Sequence, residues 1–185
     1  MDIRGNDEVM PPVRPAEDYV GGTGERGTIT YINTAVCGMN FQGGIALWDD
    51  FVKKYVDEYG CDLLVVALGM NNGGGGIKDL VTQLLDKAYE TVPDAPIMMV
   101  ATMHPVTGDR GQQGQIMRLV NKLHEEKGAH CATVRMSSVS TAVLEYKTYE
   151  DYLGDNNVHP NDFFHRMYAQ TLLQAVIGYE NLKGE

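Results

Sequence analysis

The chain has 185 residues, enough for one domain with a sizeable core, and its 43% apolar and 22% charged residues are ordinary for a globular protein. The net charge of −10 argues against a nucleic-acid-binding or anionic-membrane surface, since both need basic patches. No stretch could span a bilayer, and residues 1–14 lack the apolar segment of a signal peptide. We expect one soluble domain over residues 1–185, cytoplasmic as written, or secreted if the true N-terminus is missing.

The three cysteines, Cys37, Cys61 and Cys131, are scattered along the chain. They match no metal-binding spacing, and an odd number gives no disulfide framework. We expect buried free thiols in a reducing compartment, and neither a metal nor another cofactor.

The first 27 residues are rich in proline and glycine and contain no strand-like apolar run. Short strands and helices alternate after them. The predicted strands are residues 28–33, 61–68, 96–102 and 130–135. The predicted helices are residues 45–59, 77–92, 113–127, 141–146 and 162–179, the last capped by Asp162 or Asn161.

Strands that alternate with helices predict a three-layer α/β/α fold with a parallel sheet. Ligands bind such sheets at the carboxyl ends of the strands. This rule directs attention to the loops over residues 33–40, 69–76 and 102–108, and to the loop before the last helix. Three of these loops carry polar clusters: NTAVCGMN over residues 33–40, GMNN over 69–72 and NNVHPND over 156–162.

The order of these clusters resembles that of the SGNH (GDSL-type) hydrolases, a family of esterases with a flavodoxin-like sheet. The resemblance covers residues 28–170 and rests on the phrases YINTAV (31–36), ALGMN (67–71), HPNDF (159–163) and HRMYA (165–169). It implies that Gly38 donates its backbone N–H to an oxyanion hole. Asn71 would add a side-chain donor, and His159 would be the general base.

The acidic partner of His159 is less well defined. The family's acid usually lies three residues before the histidine, and that position is Asn156. Asp155 could take the role if the loop is shifted, and Asp151 is more remote. Alternatively, His159 works without a carboxylate, at a cost in rate.

The family's Gly-Asp-Ser block, which carries the nucleophile, has no counterpart here. The serines are Ser137, Ser138 and Ser140, all after the last predicted strand. Cys37 is a possible substitute but is expected to be a packing residue, and Thr23 is a weak candidate. We therefore predict an N-terminally truncated domain without its first, central strand and with an unknown nucleophile.

Three functions remain open at this stage. The first is a carboxylic-ester hydrolase acting on a small-molecule or carbohydrate ester, inactive or impaired here for lack of the serine. The second is a non-catalytic module that binds a carbohydrate or acyl group. The third, a nucleotide or phosphate binder, would use the glycines at 73–76, although these lack the Lys-Ser/Thr of a phosphate loop. Exposed sheet edges also predict self-association.

Overall fold

The computed structural model describes residues 13–15, 30–72, 76–103, 118–119, 122, 126, 131–154 and 159–183, of which 13–15 and 177–183 are described by their backbone alone. Its strands are β1 (Val13–Pro15), β2 (Thr30–Ile32), β3 (Leu64–Val66), β4 (Ile97–Ala101) and β5 (Cys131–Arg135). Its helices are α1 (Phe41–Ala46), a π-helical segment (Asp49–Lys53), α2 (Lys54–Tyr59), α3 (Ile77–Thr91), α4 (Met136–Leu144), α5 (Tyr149–Tyr152) and α6 (Asp162–Lys183).

A parallel sheet of β3, β4 and β5 forms the centre of the described structure. Leu64 pairs with Ile97, and Ile97 pairs in turn with Cys131. All five residues of β4 are buried, as expected of a strand covered on both faces. The predicted α/β fold with a parallel sheet is confirmed.

Each face of this sheet supports a separate apolar core, because successive side chains of β4 point to opposite faces. Ile97 and Met99 join the first core, which α1, α2 and α3 cover. Met98 and Val100 join the second core, which α4, α5 and α6 cover. Phe41 is fully buried in the first core and Phe164 in the second. Helices therefore cover both faces, as in a three-layer fold.

The predicted strand over residues 28–33 has a different partner from the expected one. Its observed part, β2, pairs antiparallel with β1, so that Val13 lies opposite Ile32. The expectation that the first 27 residues hold no strand was therefore wrong, and β2 lies in a two-stranded sheet with β1, separate from the parallel sheet of β3, β4 and β5. Proline at a strand end is compatible with pairing, because a terminal residue can do without an inter-strand N–H donor.

Several element boundaries also differ from the prediction. The helix predicted from residue 45 begins at Phe41, where the Asn40 side chain accepts a hydrogen bond from Gly43 N–H at 2.8 Å. Helix α4 begins directly after β5, five residues before the predicted start at 141. Of the predicted helix 113–127, the structure describes Arg118, Leu119, Lys122 and Glu126 as helical.

Candidate active site

The carboxyl ends of β3, β4 and β5 lie at one edge of the sheet, because the strands are parallel. The loop after β3 contains Gly69 and Asn71, and β4 leads into Thr102 and Met103. In doubly wound folds the ligand binds at this edge. The observed topology therefore makes the same edge the candidate site that the sequence indicated.

Gly38 lies in a tight turn that demands glycine. Met39 N–H donates to Val36 O at 3.2 Å, and Gly38 has φ +73°, a conformation that side chains disfavour. The residue is exposed, and no acceptor for its N–H is found among the described residues. This backbone donor is therefore available to a ligand.

Asn71 joins the loop after β3 to the loop that contains Gly38. Its side-chain Nδ2 donates to Met39 O at 3.1 Å, one residue from Gly38. A primary amide carries two N–H donors, so one remains for another acceptor. Asn71 is exposed, and the structure thus brings two of the three predicted site residues into neighbouring loops that are directly bonded.

Asn72 strengthens the same junction. Its Oδ1 accepts from Phe41 N–H at 2.9 Å, and its Nδ2 donates to Gln42 Oε1 at 2.9 Å. Phe41 is fully buried, so this bond connects the first turn of α1, anchored in the core, to the loop after β3. Asn72 therefore positions the loop while Asn71 faces solvent.

His159 lies in a loop that the surrounding backbone holds closed. Gly154 N–H donates to His159 O at 2.8 Å, and Leu153 forms a β-bridge with Pro160. Asn161 completes the closure, because its N–H donates to Tyr152 O and its Nδ2 to Asp151 O, both at 2.9 Å. The imidazole of His159 is exposed beside this closure, directly before α6.

Among the positions considered for the acidic partner of His159, the structure describes Asp151. Asp155 and Asn156 lie outside the described residues. The Asp151 carboxylate accepts from Thr148 N–H at 2.8 Å, and the Thr148 side chain accepts in turn from the backbone N–H of Asp151, which together form a capping box for α5. The backbone hydrogen bond from Thr148 is the main cause that lowers the pKa of Asp151. The Asp151 carboxylate therefore caps the N-terminus of α5.

The second core connects the His159 loop to the loop after β3. Met70, which precedes Asn71, packs against this core, and Leu153 belongs to it. A partly buried hydrogen bond at 2.8 Å from Met103 N–H to Tyr168 Oη also ties the end of β4 to α6. Burial, partly offset by this bond, raises the pKa of Tyr168 to about 12, so the hydroxyl stays protonated as it accepts. The second core thus contacts both the loop after β3 and the segment that precedes His159.

The three serines lie on α4, which starts at the end of β5. Ser137 and Ser140 are buried, and Ser140 Oγ donates to Ser137 O at 2.9 Å. Ser138 is exposed, but no hydrogen bond joins it to His159 in the described part of the chain. The position of all three after the last strand agrees with the sequence-based placement.

Two expectations about cysteine were wrong in part. Cys37, in the turn beside Gly38, is exposed, whereas Cys61 is half-buried and Cys131 is buried. Burial raises the pKa of the Cys131 thiol to about 11, which keeps it protonated and unreactive near neutral pH. Cys37 is therefore no packing residue.

Other predicted features are less informative. The described residues contain no cluster of three or more histidine, cysteine or acidic side chains that could hold a metal ion. None of the described helices is both long and apolar enough to cross a membrane. Of the glycine run at 73–76, the structure describes Gly76, which has φ +71° before α3, and residues 73–75 lie outside the described part.

Sequence reasoning missed the residues that hold the loops in place. Thr148 and Asp151 match the capping-box pattern, a signal that was present. Asn72 and Tyr168 carry no comparable local signal, because their partners lie 31 and 65 residues away in the chain. Only the folded arrangement reveals such pairs.

No protein-family model and no curated protein sequence matches the chain. Solved structures do resemble it in fold. A catalytic mutant of the acetylxylan esterase Axe2 from Geobacillus stearothermophilus superposes with a TM-score of 0.61 at 17% identity, covering 79% of this chain and 71% of that one. A family 3 carbohydrate esterase from Clostridium thermocellum gives 0.62 at 11% identity, with 80% and 70% covered.

A third solved structure also resembles the chain in fold. The lipase/acylhydrolase from Enterococcus faecalis superposes with a TM-score of 0.55 at 12% identity, covering 80% of this chain and 75% of that one. At such identities the likeness establishes the fold alone. The chain has the α/β fold of these esterases and acylhydrolases, which is the SGNH hydrolase fold.

Proposed function

We propose that this chain belongs to the SGNH carboxylic-ester hydrolases and carries the oxyanion part of their site. The supporting observation is the junction at which the Asn71 amide bonds to Met39 O, beside the exposed N–H of Gly38. Ester hydrolysis passes through a tetrahedral oxyanion, and each fixed N–H donor lowers its barrier by about 3 kcal/mol. Gly38 and Asn71 would supply two such donors.

His159 completes the proposal as the general base, with Asp155 as its acidic partner. An imidazole can accept a proton from an attacking hydroxyl and return it to the leaving alcohol near neutral pH. The backbone contacts of His159 with Gly154 and of Pro160 with Leu153 would fix the position of the base. No serine follows a strand at this edge other than those of α4, so we propose that the sequence as it stands is inactive or impaired.

The proposed substrate class is an acyl ester on a small molecule or carbohydrate. It is supported by the fold neighbours, among which are an acetylxylan esterase and a family 3 carbohydrate esterase. Hydrolysis of p-nitrophenyl acetate tests the proposal. We expect a rate close to the buffer background that His159→Ala leaves unchanged. Turnover abolished by His159→Ala would contradict the proposed impairment, and Ser138→Ala and Cys37→Ala would then locate the nucleophile.

A second candidate function is the binding of an acylated sugar without hydrolysis. It is favoured by exposed donors at Gly38 and Asn71 in a chain whose buried serines are engaged within α4. Calorimetric titration with an acetylated xylose should then release heat that Asn71→Ala reduces. Absence of heat with acetylated sugars would exclude this function.

A further inference from the structure

A cavity of about 260 Å³ lies between α3 and helical residues that follow β4 in the chain. Its lining consists of Lys78, from the first turn of α3, and of Arg118, Leu119 and Lys122. Three of these four described lining side chains are cationic, and none of the four is acidic. The chain as a whole has 25 acidic and 15 basic residues, so the cavity has the opposite charge to the protein around it.

The first core anchors both sides of this cavity. Leu119 packs against that core, and Ile77, the neighbour of Lys78 in α3, is buried within it. Arg118 and Lys122 are four residues apart in the same helical segment, so their side chains lie on one face of it. The three cations therefore converge because packing holds the backbone on each side of the cavity.

The positive charges of the cavity are poorly neutralised within the described part of the chain. Lys122 Nζ lies 3.4 Å from Glu126 Oε1, but both side chains are more than half exposed, and such ion pairs contribute little. No carboxylate of the described residues forms an ion pair with Lys78 or Arg118. Like charges four residues apart on a helix repel each other, so an anion beside Arg118 and Lys122 would relieve an unfavourable contact.

We propose that this cavity binds a phosphate group, either as free phosphate or as a monoester of a small molecule. A phosphate monoester carries a charge of about −1.5 to −2 at neutral pH and has three strong acceptor oxygens. The planar guanidinium of Arg118 can donate to two of these oxygens at once, and the ammonium groups of Lys78 and Lys122 act as point charges. A carboxylate has one charge and two oxygens, so it matches three cations less well.

The size and exposure of the cavity agree with such a ligand. Its volume is slightly below the range of roughly 300–1,000 Å³ typical of pockets that enclose a whole drug-sized molecule. A phosphate group would fit, and the rest of a monoester would remain in solvent. The three basic side chains are exposed, so the ligand has access to them. The site shares no residue with the proposed ester hydrolase site and does not depend on it.

Titration of the ¹⁵N-labelled full chain with inorganic phosphate, at constant ionic strength and slightly above neutral pH, tests the proposal. We expect saturable shifts of the backbone amides of Leu119 and Lys122. Arg118→Gln should weaken binding at least about tenfold, because it removes hydrogen bonds between charged groups. Arg166→Gln is the matched control, since this arginine is exposed on α6, which covers the other face of the sheet. It should bind phosphate like the wild type.

Two further ligands identify the class that the cavity recognises. Glycerol phosphate should bind with the same residues shifted, and a higher affinity than that of inorganic phosphate would indicate a monoester as the ligand. Equal affinity would indicate free phosphate. Acetate at the same ionic strength should bind more weakly than either. Acetate binding as tightly as phosphate would overturn the proposal, because the cavity would then distinguish neither charge nor shape.

Lys78→Gln provides the same test from the α3 side if far-UV circular dichroism shows that Arg118→Gln is unfolded. Absence of saturable shifts at Leu119 and Lys122 in the wild type would overturn the proposal. Equal weakening by Arg118→Gln and Arg166→Gln would also overturn it, because binding would then depend on the overall charge of the chain. Shifts confined to Gly38 and Asn71 would place the anion in the proposed oxyanion site instead.

Discussion

At the scale of single residues, the candidate site depends on two neighbouring asparagines with different tasks. Asn71 is exposed and donates one N–H to Met39 O, which leaves a second donor for a ligand. Both ends of the Asn72 amide form hydrogen bonds, because its Oδ1 accepts from Phe41 N–H and its Nδ2 donates to Gln42 Oε1. The sequence motif predicted the importance of Asn71, but only the contacts across 30 residues of chain show what Asn72 does.

Replacing Asn72 should therefore loosen the junction between the loops. Asn72→Ala leaves the N–H of Phe41 without its acceptor, which should lower the free energy of unfolding by about 1–2 kcal/mol in guanidinium titrations. Asn72→Asp keeps the acceptor and loses only the donor to Gln42, so it should cost less. Equal losses for the two variants would show that the bond to Phe41 contributes nothing.

At the scale of elements, α5 and the start of α6 act together to hold the loop of His159. Asn161 caps α6, because its Oδ1 accepts from Phe164 N–H at 3.2 Å, and its Nδ2 reaches back to Asp151 O at the end of α5. The sequence predicted Asn161 as one of two possible caps. The bond to α5 could not be predicted, because α5 itself was not recognised.

Asn161→Ala should remove the cap and the tie to α5 together, at a cost of about 1–2 kcal/mol in the free energy of unfolding. Asn161→Asp retains an acceptor at the helix N-terminus, where negative charge is favourable, and should recover most of this loss. Thermal and guanidinium denaturation would measure both variants. An Asn161→Asp variant as unstable as Asn161→Ala would show that the tie to Asp151, not the cap, dominates.

At the scale of the whole molecule, the buried strand β4 contributes side chains to both cores. The alternation of strands and helices predicted the parallel sheet, since long apolar runs such as residues 61–68 and 96–102 are typical of covered strands. The partner of residues 28–33 could not be predicted, because a three-residue strand carries too little pattern to choose between β1 and β3. Strand length, rather than composition, limited that part of the prediction.

Because β4 contributes alternate side chains to both cores, we expect them to unfold together. Phe41→Ala in the first core and Phe164→Ala in the second should each lower the free energy of unfolding by about 3–5 kcal/mol. Each variant should still show one cooperative transition with coincident fluorescence and circular dichroism. Two separate transitions in either variant would indicate that the cores are independent units.

We propose above that Gly38 and Asn71 form one donor site for an oxyanion. Titration of ¹⁵N-labelled protein with methylphosphonate, a tetrahedral anion that needs no serine, measures this binding residue by residue. We expect the Gly38 backbone amide and the Asn71 side-chain amide to shift with a single dissociation constant, Gly60 to stay unchanged, and Asn71→Ala to weaken the shift of Gly38. Unchanged Gly38 and Asn71 signals at saturating anion, or a Gly38 shift indifferent to Asn71→Ala, would contradict it.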